Sequence, residues 1–292
     1  MVGTVVARPS RLLRLEACDT VLGTDHPVLP EDGEGPAAPV RLSAFAIDPF
    51  AVTNAWFAEF VAATGYVTDA ERFGSSFVHA GLLSPDVGPT QAVAAAPWWR
   101  KVDGAEWGHP EGPASGIAGR ADHPAVHVSF YDAQAFAAWA GARLPTEAEW
   151  EHAARGGLPP GEARFPWGGR EPDDGAFTPC NIWQGRFPDH NTAADGFSGT
   201  APVDAFRPNG YGLFNMAGNV WEWSASPFRV RSLTKRARLR NQQAVQSGDR
   251  VAKGGSYMCH RSYCYRYRIA ARSGLAANSS AGNTGFRVVF AS

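Results

Sequence analysis

The chain has 292 residues, 44% of them hydrophobic and 19% charged, a balance typical of a soluble globular protein. Its formal net charge of −1 argues against nucleic acid or a membrane surface as the main partner. No apolar run approaches the roughly 20 residues of a membrane span, and four cysteines are too few for a disulfide scaffold of this size.

The chain is rich in residues that interrupt regular structure, with 32 Gly and 22 Pro, while its ten Trp can supply core area. We therefore expect one loop-rich domain of mixed α and β type. Residues 1–39 are predicted to be an extended lead-in and residues 40–292 to form the domain. The first twenty residues carry arginines throughout and lack a long apolar core, so we expect no signal peptide and a cytoplasmic location.

The first predicted elements follow from alternation and capping residues. Residues 40–48 alternate apolar and polar side chains and predict a strand. Thr53 is the expected N-cap of a helix that ends at Gly65. The Gly- and Pro-containing residues 66–122 are expected to be irregular and on the surface, and residues 125–130, AVHVSF, to form another strand.

Two helices are predicted next, over 132–142 and 146–157. The second has the capping-box residues Thr146 and Glu149 and ends at paired glycines. Residues 158–292 show almost no helical periodicity, so short β-type runs such as APVDAF, GLFNM and GFRVVF are expected there.

A pair of histidines and a basic stretch are both interpreted as structural features and not as binding sites. His123 and His127 are four residues apart, a spacing that chelates metal on a helix, but Pro124 and the neighbouring valines favour a strand. On a strand four residues span roughly 13 Å, which is too far for one ion to bridge. We therefore expect hydrogen-bonded histidines, and a solvated loop for the six basic residues within 229–240.

The most unusual stretch is KGGSYMCHRSYCYRYR, residues 253–268. Its cysteines, Cys259 and Cys264, are five positions apart, which points their side chains in different directions on both a regular helix and a strand. The two sulfur atoms can meet only if the backbone bends between them, and Ser262 is a plausible position for that bend. A local disulfide and two unrelated buried thiols are the alternatives that spacing leaves open.

The chemistry of this pair depends on its neighbours. Arg261, Arg266 and Arg268 would lower thiol pKa values and favour thiolate. Two thiolates without further soft ligands suit an open Cu(I) site better than tetrahedral zinc, which requires four donors.

Asn181, Asp195 and Asn215 lie in turn-rich surroundings upstream. Their side chains and the neighbouring backbone carbonyls are hard oxygen donors of the kind that Ca²⁺ prefers. Asn and Asp are also common turn residues, and spacing alone favours that second interpretation.

Several longer segments together resemble the formylglycine-generating enzymes, the sulfatase-modifying factors. The resemblance extends from about residue 40 to the C-terminus, and GARLPTEAEWE and GNVWEW mark the broader fold. CHRSYCYRYR is more specific and indicates the catalytic branch. The resemblance implies a mixed α+β fold with little regular secondary structure, distantly like C-type lectins, and a single catalytic domain of bacterial, cytosolic type.

The implied activity is a copper-dependent oxidation. The enzyme would use O2 to convert a cysteine in a Cys-x-Pro-x-Arg segment of a client protein, such as a sulfatase, into Cα-formylglycine. The implied cofactors are Cu(I) and structural Ca²⁺, and we expect a monomer without nucleic-acid or membrane partners.

The resemblance also assigns roles to residues. The copper ligands are Cys259 and Cys264, with Ser256, Trp221 and Tyr263 around the oxygen pocket. Client-binding positions are Trp98, Ser280, Asn283 and Ser75, where Ser75 departs from the Asp found in other members. The implied calcium ligands are Asn181, Ile182, Asp195 and Phe197 for one site, and Asn215, Met216, Gly218 and Val220 for the other.

Two other functions remain as alternatives. An iron-dependent sulfoxide synthase of the ergothioneine type needs a His-based iron site and an extra helical domain, for which the chain has no room. A non-catalytic binding module on the same fold has no use for two reactive thiols beside Ser256 and Trp221.

Overall fold

Short elements joined by long irregular segments make up residues 12–291, the part of the chain that this computed structural model describes. The helices are α1 (Asn54–Thr64), α2 (Asp69–Phe73), α3 (Phe130–Trp139), α4 (Glu147–Arg155) and α5 (Lys235–Ser247). The strands are β1 (Leu13–Leu15), β2 (Cys18–Leu22), β3 (Ala38–Leu42), β4 (Phe45–Ile47), β5 (Ser75–His79), β6 (Gln91–Val93), β7 (Ala96–Asp103), β8 (Gly185–Arg186), β9 (His190–Asn191), β10 (Trp221–Pro227), β11 (Arg250–Lys253), β12 (Ser273–Leu275), β13 (Thr284–Gly285) and β14 (Val289–Ala291). The predicted mixed class with little regular structure is confirmed.

The strands form small separate sheets. One has the order β12-β11-β10-β13, another β5-β7-β6, and a third places β4 between β1 and β14. Strands β2 and β3 pair with each other, as do β8 and β9. In the third sheet Leu13 and Val289 both pair with Ile47, so segments from both ends of the described chain lie against one central strand. The first eleven residues of the predicted lead-in, and Ser292, lie outside the described range.

An aromatic core holds α1 against α3. Phe57 and Phe136 are fully buried and stack with ring centroids 5.8 Å apart, and Phe286 packs edge-on against both. Helix α1 begins as predicted, because the Thr53 side chain accepts a hydrogen bond from the backbone of Trp56. It ends as predicted at Gly65, whose positive φ of 65° closes the last turn.

Helix α4 is tied to the rest of the fold through a buried charged group. Its predicted capping box between Thr146 and Glu149 is present. Trp150 donates a hydrogen bond of 2.7 Å to the carboxylate of Glu222 on β10. The Arg287 guanidinium binds the same carboxylate through two contacts of 2.6 and 2.7 Å. One carboxylate therefore joins a helix, a strand and the C-terminal segment.

The strand predicted over 125–130 is wrong. His127 adopts a left-handed φ of 58° that breaks any strand, and Phe130 already belongs to α3. The helix predicted over 132–142 begins earlier, because Ser129 and Asp132 form a capping box with Asp in place of the usual Glu or Gln.

Residues 66–122 are more regular than predicted. They contain α2 and the sheet β5-β7-β6, and this sheet buries Val78 and Val102. The strand predicted over 40–48 is present but divided at residues 43–44, because β3 and β4 belong to different sheets.

The expectation of almost no helix after residue 158 is also wrong. Part of the basic stretch 229–240 forms α5 rather than a solvated loop, and Thr234 caps this helix. Its inner face buries little beyond Ala237 and Ala244, so the apolar periodicity is weak. APVDAF and GLFNM are irregular, whereas GFRVVF overlaps β13 and β14.

None of the helices within residues 12–291 has the length and apolar character required to cross a bilayer.

Replacing Glu222 by Gln should lower the free energy of unfolding by about 3–5 kcal/mol, because it leaves the buried Arg287 guanidinium without its counter-charge. Urea denaturation measures this change. Asp19→Asn, which breaks an exposed pair with Arg41, is the matched control and should leave the unfolding midpoint unchanged. An equal effect of the two substitutions would contradict this account.

Candidate active site

A tight turn brings the two cysteines of the 253–268 stretch together. The backbone N–H groups of Tyr263 and Cys264 both donate to the carbonyl of His260, over 3.0 and 2.8 Å. The sulfur atoms of Cys259 and Cys264 then lie 2.6 Å apart, and both residues are free thiols. The backbone bend that the spacing requires is therefore present, and it brings the two sulfur atoms into direct contact.

Ser256 organises the other side of the pair. Its backbone N–H points to the Cys259 sulfur at 3.4 Å. Its hydroxyl accepts hydrogen bonds from the Asn283 side chain at 2.9 Å and from the backbone of Met258 at 3.3 Å. Gly255 precedes it with a φ of 70°, and a Cβ there would lie 3.0 Å from the backbone nitrogen of Tyr267. Gly255 thus allows the chain to pass close beside the 264–268 segment.

The two thiols differ in acidity. The pKa of Cys264 is lowered, first because the Cys259 thiol donates a hydrogen bond to its sulfur, and also because the Arg266 guanidinium lies beside it. The pKa of Cys259 is raised well above its ordinary value by burial and by its thiolate neighbour. The pair therefore loses its first proton at Cys264. Arg268, one of the three arginines predicted to lower the thiol pKa values, instead forms a buried ion pair with Glu34.

The thiol pair lies on the wall of an open cavity of about 430 Å³. Five other predicted site residues line the same cavity: Trp221, Ser256, Tyr263, Ser280 and Asn283. Sequence reasoning missed further lining residues, among them Phe77, Trp99, Met258, Ser273 and Leu275. The alternation of inward and outward side chains along β5 and β12 could have indicated some of these lining residues. The strand pairing that brings β5 and β12 to the cavity, however, cannot be inferred from the sequence.

Two predicted client-binding residues lie outside the cavity wall. Trp98 packs edge-on against Tyr263, with centroids 5.0 Å apart, and its indole N–H donates to the Tyr263 hydroxyl at 3.3 Å. Phe187 stacks on the same tyrosine at 3.9 Å and extends this aromatic rim. Ser75 is buried on β5 opposite Asp103 and does not line the cavity.

Ser280 is oriented by a chain of hydrogen bonds. Its hydroxyl lies 2.8 Å from that of Ser76, which lies 2.8 Å from Nδ1 of His127. Nε2 of His127 lies 2.8 Å from the Pro110 carbonyl and must donate to it, so Nδ1 accepts from Ser76. Burial lowers the pKa of His127 to about 4, which keeps the ring neutral. The prediction of a hydrogen-bonded histidine is confirmed.

The residues expected to bind calcium include two buried amide oxygens without partners. Oδ1 of Asn181 and Oδ1 of Asn215 accept no hydrogen bond, although each amide nitrogen donates to a backbone carbonyl. The Asp195 carboxylate lies near Asn181 in the fold and accepts from the backbones of Ile182 and Phe197 at 3.2 and 3.0 Å. Burial raises the pKa of Asp195.

The loops of the two expected calcium sites lie against each other. Gly218 has a φ of 76°, and a Cβ at this position would lie 2.2 Å from the carbonyl oxygen of Asn181. Only glycine permits this approach. Across residues 12–291, no group of three or more His, Cys, Asp and Glu side chains could hold a metal ion. Any metal bound here would therefore rely on the thiol pair, or on a single carboxylate together with amide and backbone oxygens.

Residues 6–292 match the family model of the sulfatase-modifying factor enzyme 1-like domain. The chain belongs to this family. It is 54% identical to the formylglycine-generating enzyme of Bos taurus over 96% of this chain and 74% of that protein. It is 55% identical to the formylglycine-generating enzyme of Thermomonospora curvata over 91% of this chain and 88% of that protein.

The fold of PvdO from Pseudomonas aeruginosa is similar, with a TM-score of 0.65, 23% identity, and coverage of 96% of this chain and 94% of that one. This likeness confirms the predicted fold. More distant relatives include a Bos taurus protein named inactive Cα-formylglycine-generating enzyme 2, 44% identical over 91% of this chain and 83% of that protein. Family membership alone therefore does not decide catalytic activity, and the site residues must do so.

Cys264 should be alkylated by iodoacetamide at lower pH than a free cysteine, and before Cys259. Arg266→Gln should move the pH midpoint of this reaction upward, because it removes the adjacent positive charge. Arg261→Gln, a change in the exposed part of the same loop, is the control and should leave the midpoint in place. Mass spectrometry of digests maps each modified thiol, and first modification at Cys259 would contradict the assignment.

Proposed function

We propose that this protein is an active formylglycine-generating enzyme. It converts the cysteine of a Cys-x-Pro-x-Arg segment in a client protein, such as a sulfatase, into Cα-formylglycine with Cu(I) and O2. The observation that supports this proposal most strongly is the pair of adjacent thiols on the wall of an open cavity. A non-catalytic member of the fold needs neither the pair nor the lowered pKa of Cys264.

The donor set fits Cu(I). Cys259 and Cys264 offer two soft sulfur atoms, one of which forms thiolate readily. Tetrahedral zinc and a histidine-based iron site both need donors that no cluster within the described range supplies. When bound, Cu(I) would supply the one-electron and O2 chemistry of the reaction.

The protein's own residues would position the reactants. Arg266 holds negative charge on Cys264, and Ser256 fixes Cys259 through its backbone N–H. Asn283 orients the Ser256 hydroxyl, and both side chains line the cavity. Trp221 lines the same cavity with its apolar ring.

The client would bind in an extended conformation above the thiols. Ser280 and Asn283 provide polar contacts within the cavity, and Trp98 with Tyr263 forms an aromatic rim at its side. In the net transformation, the thiol-bearing side chain of the client cysteine and one water molecule become an aldehyde and hydrogen sulfide. Two protons and two electrons are released.

We further propose two structural calcium ions. The first would be bound by Asn181, Ile182, Asp195 and Phe197, and the second by Asn215, Met216, Gly218 and Val220, where the apolar residues contribute backbone carbonyls. Two buried amide oxygens without partners support this proposal, because such atoms are costly unless a donor or a cation satisfies them.

The catalytic proposal is tested with a Cys-x-Pro-x-Arg peptide, the protein, Cu(I) and a thiol reductant under air. Mass spectrometry should detect replacement of the thiol-bearing cysteine side chain by an aldehyde. Cys259→Ser and Cys264→Ser should abolish this product and the binding of one Cu(I) per chain while leaving the circular dichroism spectrum intact.

Cys18→Ser is the matched control, because Cys18 lies on β2 outside the cavity. It should retain activity and copper binding. Full activity in either of the other two variants would exclude the copper–thiolate proposal, and an unmodified peptide with the unaltered protein would favour a binding module.

Calcium at about 100 times its Kd should raise the free energy of unfolding by about 2.7 kcal/mol for each site. Asn215→Ala should lose the contribution of one site. Asn209→Ala is the control, because the amide of Asn209 is fully hydrogen-bonded and that variant should keep the whole calcium response while losing some stability. Thermal unfolding with calcium and with a chelator measures both effects. If calcium stabilises Asn215→Ala as much as the unaltered protein, the proposal of the second calcium site is wrong.

A further inference from the structure

Two tyrosines beside the thiol pair share one carboxylate. Tyr267 donates a hydrogen bond of 2.9 Å to one oxygen of Glu171, and Tyr265 donates a short hydrogen bond to the other. The two rings lie edge to face with centroids 5.4 Å apart. Tyr267 is buried and belongs to the same apolar cluster as Cys259 and Cys264.

A stack of aromatic rings leads from Tyr267 toward the surface. Phe165 lies between Tyr267 and Trp167, with centroid distances of 5.8 and 5.1 Å and interplanar angles of 17° and 6°. Trp167 is partly exposed, and its indole N–H donates to the carbonyl of Arg170. Oxidisable side chains therefore lie at both ends of a continuous stack that joins the thiol cluster to solvent.

The proposed function creates a need for such a connection. Reduction of O2 to water consumes four electrons, while conversion of the client cysteine to formylglycine and sulfide releases only two. The other two electrons must come from an external reductant. The thiol pair is buried beneath the client in the proposed complex, so a reductant cannot reach it directly.

We propose that Tyr267 and Glu171 form a redox-active site that relays electrons from an external thiol to the site held by Cys259 and Cys264. This inference rests on the proposed function. Tyr267 gives one electron to that site and its phenolic proton to Glu171, which leaves a neutral phenoxyl radical and a carboxylic acid. An electron from the thiol then arrives through Trp167 and Phe165, and Glu171 returns the proton. Over two such cycles two thiol molecules each lose one electron and one proton and join as a disulfide. These two electrons and two protons complete the reduction of O2 to water.

The carboxylate distinguishes Tyr267 and Tyr265 from the other tyrosines near the site, and of these two it is Tyr267 that stacks on Phe165. Phenol oxidation in a buried environment requires a base that accepts the proton. The Tyr257 hydroxyl donates to the carbonyl of Gly282, which cannot take up a proton, and the Tyr263 hydroxyl accepts from Trp98. Tyr66 does have a carboxylate partner, Asp132, but it packs in the distant aromatic core around Phe60.

The relay is tested first on the copper-free full-length protein by flash oxidation with photogenerated ruthenium(III) tris-bipyridine. Electron paramagnetic resonance should show a tyrosyl radical, and Tyr267→Phe and Glu171→Gln should lose it. Tyr66→Phe removes a comparable phenol–carboxylate pair elsewhere and should retain it. A radical of unchanged yield in Tyr267→Phe overturns the inference.

A second measurement separates this inference from the proposed function. At limiting thiol, Tyr267→Phe should form formylglycine more slowly than Tyr66→Phe. Formylglycine formed by the unaltered protein without a radical at Tyr267 overturns the relay and leaves the proposed function in place. A radical at Tyr267 without any formylglycine supports the redox site and contradicts the proposed function.

Discussion

The carbonyl group of His260 is the constraint on which the site depends. By accepting two backbone N–H groups it closes the turn that places the Cys264 sulfur beside that of Cys259. The Cys259 carbonyl in turn accepts from the backbone of Trp183, at 3.0 Å. Trp183 directly follows Asn181 and Ile182, so the segment proposed to bind calcium also holds one end of the cysteine turn. The position of the Cys259 sulfur therefore depends on the order of the upstream loop that contains Asn181 and Ile182.

Charges from the N-terminal part of the chain complete the surroundings of the thiols. Asp32 pairs with Arg266 at 2.6 Å, and Glu34 pairs with the buried Arg268. Burial disfavours the charged form of Arg266, but the hydrogen bond to Asp32 and the charge of that carboxylate more than offset it and raise its pKa. A guanidinium that always carries its charge beside Cys264 helps to make a buried thiol acidic. Sequence-distant residues therefore set the chemistry of the pair.

Local signals predicted part of this structure well. Thr53 with Gly65, and Thr146 with Glu149, placed α1 and α4, because capping depends on a few adjacent residues. The five-residue cysteine spacing correctly required a bend.

Prediction from the sequence failed where contacts between distant residues determine the local structure. His127 leaves the strand region of backbone conformation and forms hydrogen bonds with Ser76 and Pro110. Helix α5 was missed because it buries only two small residues, so its apolar periodicity is weak. The sites of Trp99 and Leu275 depend on strand pairing that no local pattern shows.

The central claim is that two sulfur atoms of this turn bind a single copper ion. X-ray absorption at the copper edge of protein loaded with one equivalent of Cu(I) tests it most directly. The account predicts sulfur-only scattering that disappears when Cys264 is replaced by Ser. Nitrogen or oxygen ligands in place of sulfur, or the same spectrum in that variant, would contradict it.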